Sequence, residues 1–204
     1  MKTFKTIAGQ ELEIAYENGI KVLNTKNANY SFGSLHSIFK ELFKQINMKQ
    51  INPDKTLLLG LGGGSIVKLL RQDLQLEGAV TAIEFDQGII DAAIKHFGIG
   101  KFKNVGLICE DAFKYLQNTN TKYDVIIDDL YLDIAMPGDS QQSDYFKDVI
   151  HRLTKNGLFI KNCIFTSDDH KTQFNKSISE VFPDIKVISI GKMNNLYLCK
   201  CNVV

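Results

Sequence analysis

Proline is scarce, at three of 204 residues, and with 44% apolar and 23% charged residues this composition excludes a disordered or fibrous chain. Neither sign of charge dominates, and a formal net charge of +1 supplies no global field to draw the chain onto nucleic acid or an anionic membrane. No apolar run approaches the ~20 residues that a bilayer span needs, so no membrane role is expected. The opening "MKTFKTIAGQELEI" has no apolar h-region or cleavage-like site, so no export signal is read and a cytoplasmic location is the expectation. Cys109, Cys163, Cys199 and Cys201 form no CxxC pair and have no histidine at ligand spacing, so buried reduced thiols and no metal are expected. The histidines, His36, His96, His151 and His170, fall on expected helices or their ends, where surface or packing roles suit them.

What is present is an alternation that begins at Lys55. Short β-branched runs, "TLLLGL", "AVTAIEF", "NVGLIC", "YDVIIDDL" and "GLFIKNCIF", are separated by stretches of helical period. Ile89, Ile90, Ala93, Ile94 and Phe97 share one helical face, as do Tyr145, Phe146, Val149, Ile150 and Leu153. Near-continuous apolar strands joined by amphipathic helices imply a mostly parallel sheet covered on both faces. A last helix around Phe174, Ile178 and Val181 leads into "IKVISI", and only "GKMNN" separates that strand from "LYLCKCNV". So short a connection excludes a parallel crossover and predicts an antiparallel hairpin at one edge.

Upstream, "TFKTIA", "ELEIAYE" and "IKVLNT" are punctuated by turn-like "GQ" and "NG", which predicts a small β unit of two or three strands over residues 1–29. The segment "SFGSLHSIFKELFKQINMK" then sets Leu35, Ile38, Phe39, Leu42, Phe43 and Ile46 on one helical face. The main α/β domain is taken as residues 30–204, one domain with a short appendage being what this length accommodates. The N-terminal strands could pair across a homodimer.

Gly60, Gly62, Gly63 and Gly64 crowd into five positions directly after the first parallel strand and before the helix "SIVKLLRQ". Backbone N–H groups and a helix N-terminus would there surround a ligand at the strand's carboxyl end. The spacing is Gly60-x-Gly62-x-Gly64, and Ser65 stands where a dinucleotide fingerprint would need its last glycine. The following strand ends also carry polar groups. Glu84 ends the second strand, where a carboxylate would accept from a ribose diol, and Asp111 follows the third, in reach of an adenine amino group. Asp128, Asp129 and Tyr131 end the fourth. Each acid taken singly also fits helix N-capping, Asp111 above all. Together they read as a site for a nucleoside-bearing cofactor.

The runs "TLLLGLGGGSIVKLL", "AVTAIEFDQGIIDAAIKHFGI", "ICEDAFKYL" and "YDVIIDDLY" resemble the spermidine synthase branch of the SAM-dependent methyltransferase superfamily, SAM being S-adenosylmethionine. The resemblance implies a Rossmann-like α/β fold whose seven-stranded, mostly parallel sheet carries a C-terminal antiparallel hairpin. It implies a cofactor, SAM or decarboxylated SAM, with Gly60, Gly62 and Gly64 along its tail, Glu84 on its ribose, and Asp111 with Ala112 at its adenine; Asp128 is assigned to the same cofactor set. Departures are as informative. The family's acidic loop residue falls on Gly63, and its "DSSDP" strand end falls on Asp129 to Asp133, which puts the second aspartate on Leu132 and leaves Asp133 one residue away.

These departures set the functional expectation. An acidic loop suits the cationic tail of decarboxylated SAM and repels the carboxylate of intact SAM, so a glycine at 63 either tilts the site toward intact SAM or leaves it neutral between the two. The leading reading is a methyltransferase acting on a small or cationic acceptor, with Asp129 orienting or deprotonating it and Tyr131 as a pocket wall. One alternative is aminopropyl transfer from decarboxylated SAM to a diamine, with Asp133 as its base. Another is a non-catalytic nucleoside-binding scaffold. The segment from Tyr131 to Ser143, with Pro137-Gly138, has the composition of a mobile lid.

Overall fold

The structure, a computed structural model, describes residues 2–5, 11–17, 20–24, 29–31, 34–132 and 135–201. It opens with β1 (Lys2–Lys5), β2 (Glu11–Glu17), β3 (Ile20–Asn24) and β4 (Asn29–Ser31), an antiparallel sheet in chain order. Helices α1 (Ser34–Gln45) and α2 (Met48–Ile51) lead to the alternating part: β5 (Lys55–Leu59), α3 (Ser65–Lys68), β6 (Ala79–Glu84), α4 (Gln87–Phe97), β7 (Val105–Cys109), α5 (Ala112–Asn118), β8 (Tyr123–Asp128), α6 (Ser143–Arg152), β9 (Leu153–Ile164), α7 (Asp168–Ser179), β10 (Ile185–Ile190) and β11 (Asn194–Lys200). The seven strands β5 to β11 lie in the order β10-β11-β9-β8-β5-β6-β7, and β11 runs antiparallel to both neighbours. The chain is thus an α/β protein with a mostly parallel sheet, a C-terminal antiparallel hairpin and an N-terminal β unit. Among the described residues no helix is long and apolar enough to cross a membrane.

Burial follows the apolar periods apart from Ile94, which the period sets on the apolar face of α4 and which is 45% exposed. The central strands β5 and β8 bury Leu57, Leu58, Leu59, Val125, Ile126 and Ile127 completely, as expected of strands covered on both faces. Phe39, Leu42 and Phe43 of α1 join a core that also takes in Leu12, Ile14 and Leu23 of the small sheet, so the N-terminal unit and the main sheet share apolar packing. The second core, around Phe146, Phe159, Phe174, Phe182 and Tyr197, is held by tilted and edge-on ring pairs such as Phe146–Phe174, 5.6 Å between centroids.

Four local expectations are corrected. A fourth strand, β4, completes the N-terminal sheet; with three residues it is too short to leave an alternation in the sequence. The final turn is Gly191 to Met193, three residues rather than five, because Asn194 and Asn195 already pair with Ile190 and Ser189. Leu153 belongs to β9, where it pairs with Tyr123, rather than to the α6 face. Cys109 is exposed, since β7 is the edge strand, whereas Cys163, Cys199 and Cys201 are buried thiols as expected.

The strand order carries the functional consequence. From β5 the chain proceeds outward through β6 and β7, then returns to lay β8 on the other side of β5. The reversal opens a crevice beyond the carboxyl ends of β5 and β8, the place where such sheets bind ligands. Register sets Leu59 beside Ile83 and Asp128, Glu84 beside Cys109, and Asp128 beside Lys161, so the strand ends named above form one row.

Candidate functional site

Gly60, Gly62 and Gly64 all have positive φ, at 88°, 50° and 81°. Two of them also face a packing constraint. A Cβ on Gly60 would stand 2.5 Å from the carbonyl oxygen of Asp129, and one on Gly64 would run into the Ile99 side chain. Glycine at 60 therefore lets the β5 loop lie against the β8 end, closing one wall of the crevice. Gly60 N–H donates to Ile83 O and Asp129 N–H to Leu59 O, both at 2.9 Å, extending strand pairing into the loops.

Glu84 is tied to this loop. Its Oε2 accepts from the N–H groups of Leu61 at 3.1 Å and Gly62 at 3.3 Å, and its Oε1 accepts from Asp86 N–H at 3.2 Å. Burial raises the carboxyl's pKa despite the opposing pull of those three N–H donors. Asp111 caps α5, accepting from Lys114 N–H at 3.0 Å, so its capping role is realised, and Ala112 behind it is buried. The structure thus ties Glu84 directly to Leu61 and Gly62 inside the glycine loop, with Asp111 and Ala112 at the corner after the neighbouring strand.

The β8 end lies directly beside this loop. Asp129 Oδ1 accepts from Asn162 Nδ2 at 2.9 Å; Asn162 in turn accepts at Oδ1 from Asn194 Nδ2 at 2.9 Å. Tyr131 donates its hydroxyl to Asn162 O at 3.1 Å. Burial raises Asp129 to about 6; the nearby Asp128 adds to the rise, while the Asn162 hydrogen bond and Lys161 oppose it. Burial and the Asp129 charge push Tyr131 upward too, leaving it a neutral phenol. This is the environment of a carboxylate that exchanges a proton near neutral pH.

Asp128 needs correction as a crevice residue. Adjacent strand residues point to opposite faces, and Asp128 is turned fully inward. Its Oδ2 meets Lys161 Nζ at 2.5 Å and accepts from Tyr145 Oη at 2.6 Å, while Oδ1 accepts from Leu130 N–H at 3.1 Å. Asp133 lies outside the described residues. Leu132, at the position of the resembled second aspartate, is 57% exposed. The expected lid is also more anchored than its composition implies. Met136 and Ser140 are buried, Ser140 lies 3.4 Å from Lys161 Nζ, and Gln141 Oε1 lies 2.5 Å from His170 Nε2.

Sequence reasoning missed Lys161, Asn162, Asn194 and Tyr145. A signal existed for the first two, a lysine and an asparagine side by side inside the apolar run "GLFIKNCIF". Among the described residues, no group of His, Cys, Asp and Glu is arranged to hold a metal ion. An open depression of about 590 Å³, lined by Asp54, Lys55, Asn120 and Asp124 among others, lies at the opposite ends of β5 and β8 and touches none of these residues.

Residues 35–191 match the spermine/spermidine synthase domain model. Among curated proteins, the polyamine aminopropyltransferase of Methanocaldococcus jannaschii is 29% identical over 160 residues, covering 74% of this chain and 54% of that protein. The chain spans about half the length of such curated relatives. Among solved structures, a probable spermidine synthase from Corynebacterium glutamicum matches with a TM-score of 0.84 at 18% identity, covering 98% of this chain and 79% of that one. Human methyltransferase-like protein 13 in complex with SAH matches with a TM-score of 0.71 at 23% identity, covering 82% of each chain. At these identities the structural likeness establishes the fold.

Proposed function

Since the chain belongs to the spermine/spermidine synthase domain family, we propose that it is a transferase moving an aminopropyl group from decarboxylated SAM to a small cationic amine. The observation that carries this reading is Asp129, a carboxylate just past the end of β8, beside the glycine loop, held by Asn162 Nδ2 at 2.9 Å and raised by burial to about 6. The sulfonium of the donor is already activated, so the protein's task is to align acceptor nitrogen, carbon and sulfur and to remove a proton. An ammonium held at Asp129 gives that proton to the carboxylate. Its nitrogen then forms a bond to the carbon next to sulfur as the carbon–sulfur bond breaks, and the nucleoside thioether leaves neutral.

The residues present suit the donor. The positive-φ glycines allow close backbone approach, Glu84 stands where hydroxyl groups could exchange with its Leu61 and Gly62 contacts, and Asp111 borders the next strand end. Relatives named polyamine aminopropyltransferase favour this assignment over methyl transfer. Two observations favour methyl transfer from intact SAM as the second reading: Gly63 adds no carboxylate to the loop, and Leu132 brings an exposed apolar side chain where the resemblance has an acid.

Parallel calorimetric titration with decarboxylated SAM and SAM, followed by turnover with a diamine, separates the two. Tighter binding of the decarboxylated donor and transfer to the diamine are expected. Preference for intact SAM would overturn aminopropyl transfer in favour of methyl transfer, and binding of neither donor would leave the scaffold reading.

A further inference from the structure

The mechanism above uses Asp129 and leaves a second, wholly buried set of charges unassigned. Asp128 and Lys161 are partners across the β8–β9 ladder, so their side chains share one face while the next residues, Asp129 and Asn162, share the other. Both charged side chains are 0% exposed and meet at 2.5 Å. Tyr145 Oη and Leu130 N–H complete the acceptor contacts of Asp128. Lys161 is flanked by the Tyr145 ring, 5.4 Å from its centroid, and by Ser140. Packing this dense needs no ion pair for shape, and an apolar pair of equal volume is often as stable.

We infer that Asp128 and Lys161 are positioning residues for Asp129: a charge-balanced pair behind the strand end that sets the electrostatic potential at its carboxylate. The inference rests on the reading of Asp129 as the acceptor-facing base. Among the described residues, the titratable groups facing this end are Asp128 and Tyr131 from the β8 end, Lys161 and Cys163 from β9, and Tyr145 from α6. Burial keeps Tyr131, Tyr145 and Cys163 neutral, which leaves Asp128 and Lys161 as the opposed charges acting on Asp129.

Opposed charges give opposite signs on removal. Asp128→Asn leaves the lysine unbalanced, and the acidic limb of the pH–rate profile moves down by about one unit. Lys161→Met leaves the aspartate unbalanced and moves it up by a similar amount. The double variant D128N/K161M returns it to within a few tenths of the original, and it stands in with Asp128→Asn should Lys161→Met fail to fold. Carbon-13 titration of aspartate-labelled protein, with the signal assigned by its loss in Asp129→Asn, reads the same shifts without any reaction. Opposite shifts in the singles and recovery in the double support the inference. Shifts that are absent, or of one sign, overturn it. If the carboxylate moves as expected while the rate limb stays, the pair does set the potential and it is the role of Asp129 in the proposed transfer that falls.

Discussion

Asn162→Ala is the substitution whose effect follows most directly from the geometry. Its Nδ2 donates at 2.9 Å to a carboxylate raised to about 6 by burial, so the bond favours the charged form. A hydrogen bond to an ionised group contributes about 1.5–3 kcal/mol. At 1.36 kcal/mol per pKa unit, losing it lifts Asp129 by about one to two units, to about 7–8. Ionisation at pH 7 would then fall from about nine-tenths to about a quarter for the middle of that range, a loss of roughly fourfold in rate that disappears by about pH 9. The assay is kcat/KM for the transfer measured from pH 5 to 9.5. Asn194→Ala, which frees the Asn162 side chain from its own anchor, should shift the limb in the same direction by less. A limb that stays in place in Asn162→Ala, or a rate loss equal at every pH, would refute the assignment of that contact as the control on Asp129.

Three further outcomes are expected. Because the folded pKa of Asp129 is raised, the stability it contributes is present below the unfolded value near 4 and is lost as pH rises through about 6, so Asp129→Asn should be more stable than the parent by about 3 kcal/mol at pH 7.5 and nearly equal at pH 4; urea unfolding at the two pH values checks it, and equal differences at both would contradict it. Gly60→Ala forces a Cβ onto a backbone carbonyl at a φ of 88°, and should lower the unfolding free energy by at least about 2 kcal/mol, with an unchanged urea midpoint counting against the close loop-to-strand approach. Glu84→Gln keeps the shape and removes the charge, so nucleoside binding measured by calorimetry should weaken by about 1–3 kcal/mol, and an unaltered affinity would remove Glu84 from the site.

Much of the fold was legible because it depends on local period and connection length. Apolar runs of strand length, helical faces such as Ile89, Ile90, Ala93 and Phe97, and a final connection too short for a crossover determine a parallel sheet closed by an antiparallel hairpin. The glycine cluster and the acids at successive strand ends mark the crevice for the same reason, since position after a strand is a property of the chain. Reading residue by residue, Gly63 and Leu132 tilt the chemistry toward methyl transfer, whereas the relatives weigh toward aminopropyl transfer; acceptor pockets are assembled from several loops, and single aligned positions describe them poorly.

What the sequence determined by itself is therefore the order of the strands' chemistry: glycines, Glu84, Asp111, then a pair of aspartates. It could not say which aspartate is turned inward, because "IIDD" has the same pattern whichever way the strand is turned. Tertiary structure decided that through the β8–β9 register, which pairs Asp128 with Lys161 on the buried face and aims Asp129 at Asn162 on the other. Those partners lie 33 residues away along the chain. A lysine in an apolar strand has meaning only once the carboxylate that neutralises it has been brought alongside, and that is a matter of pairing across the sheet.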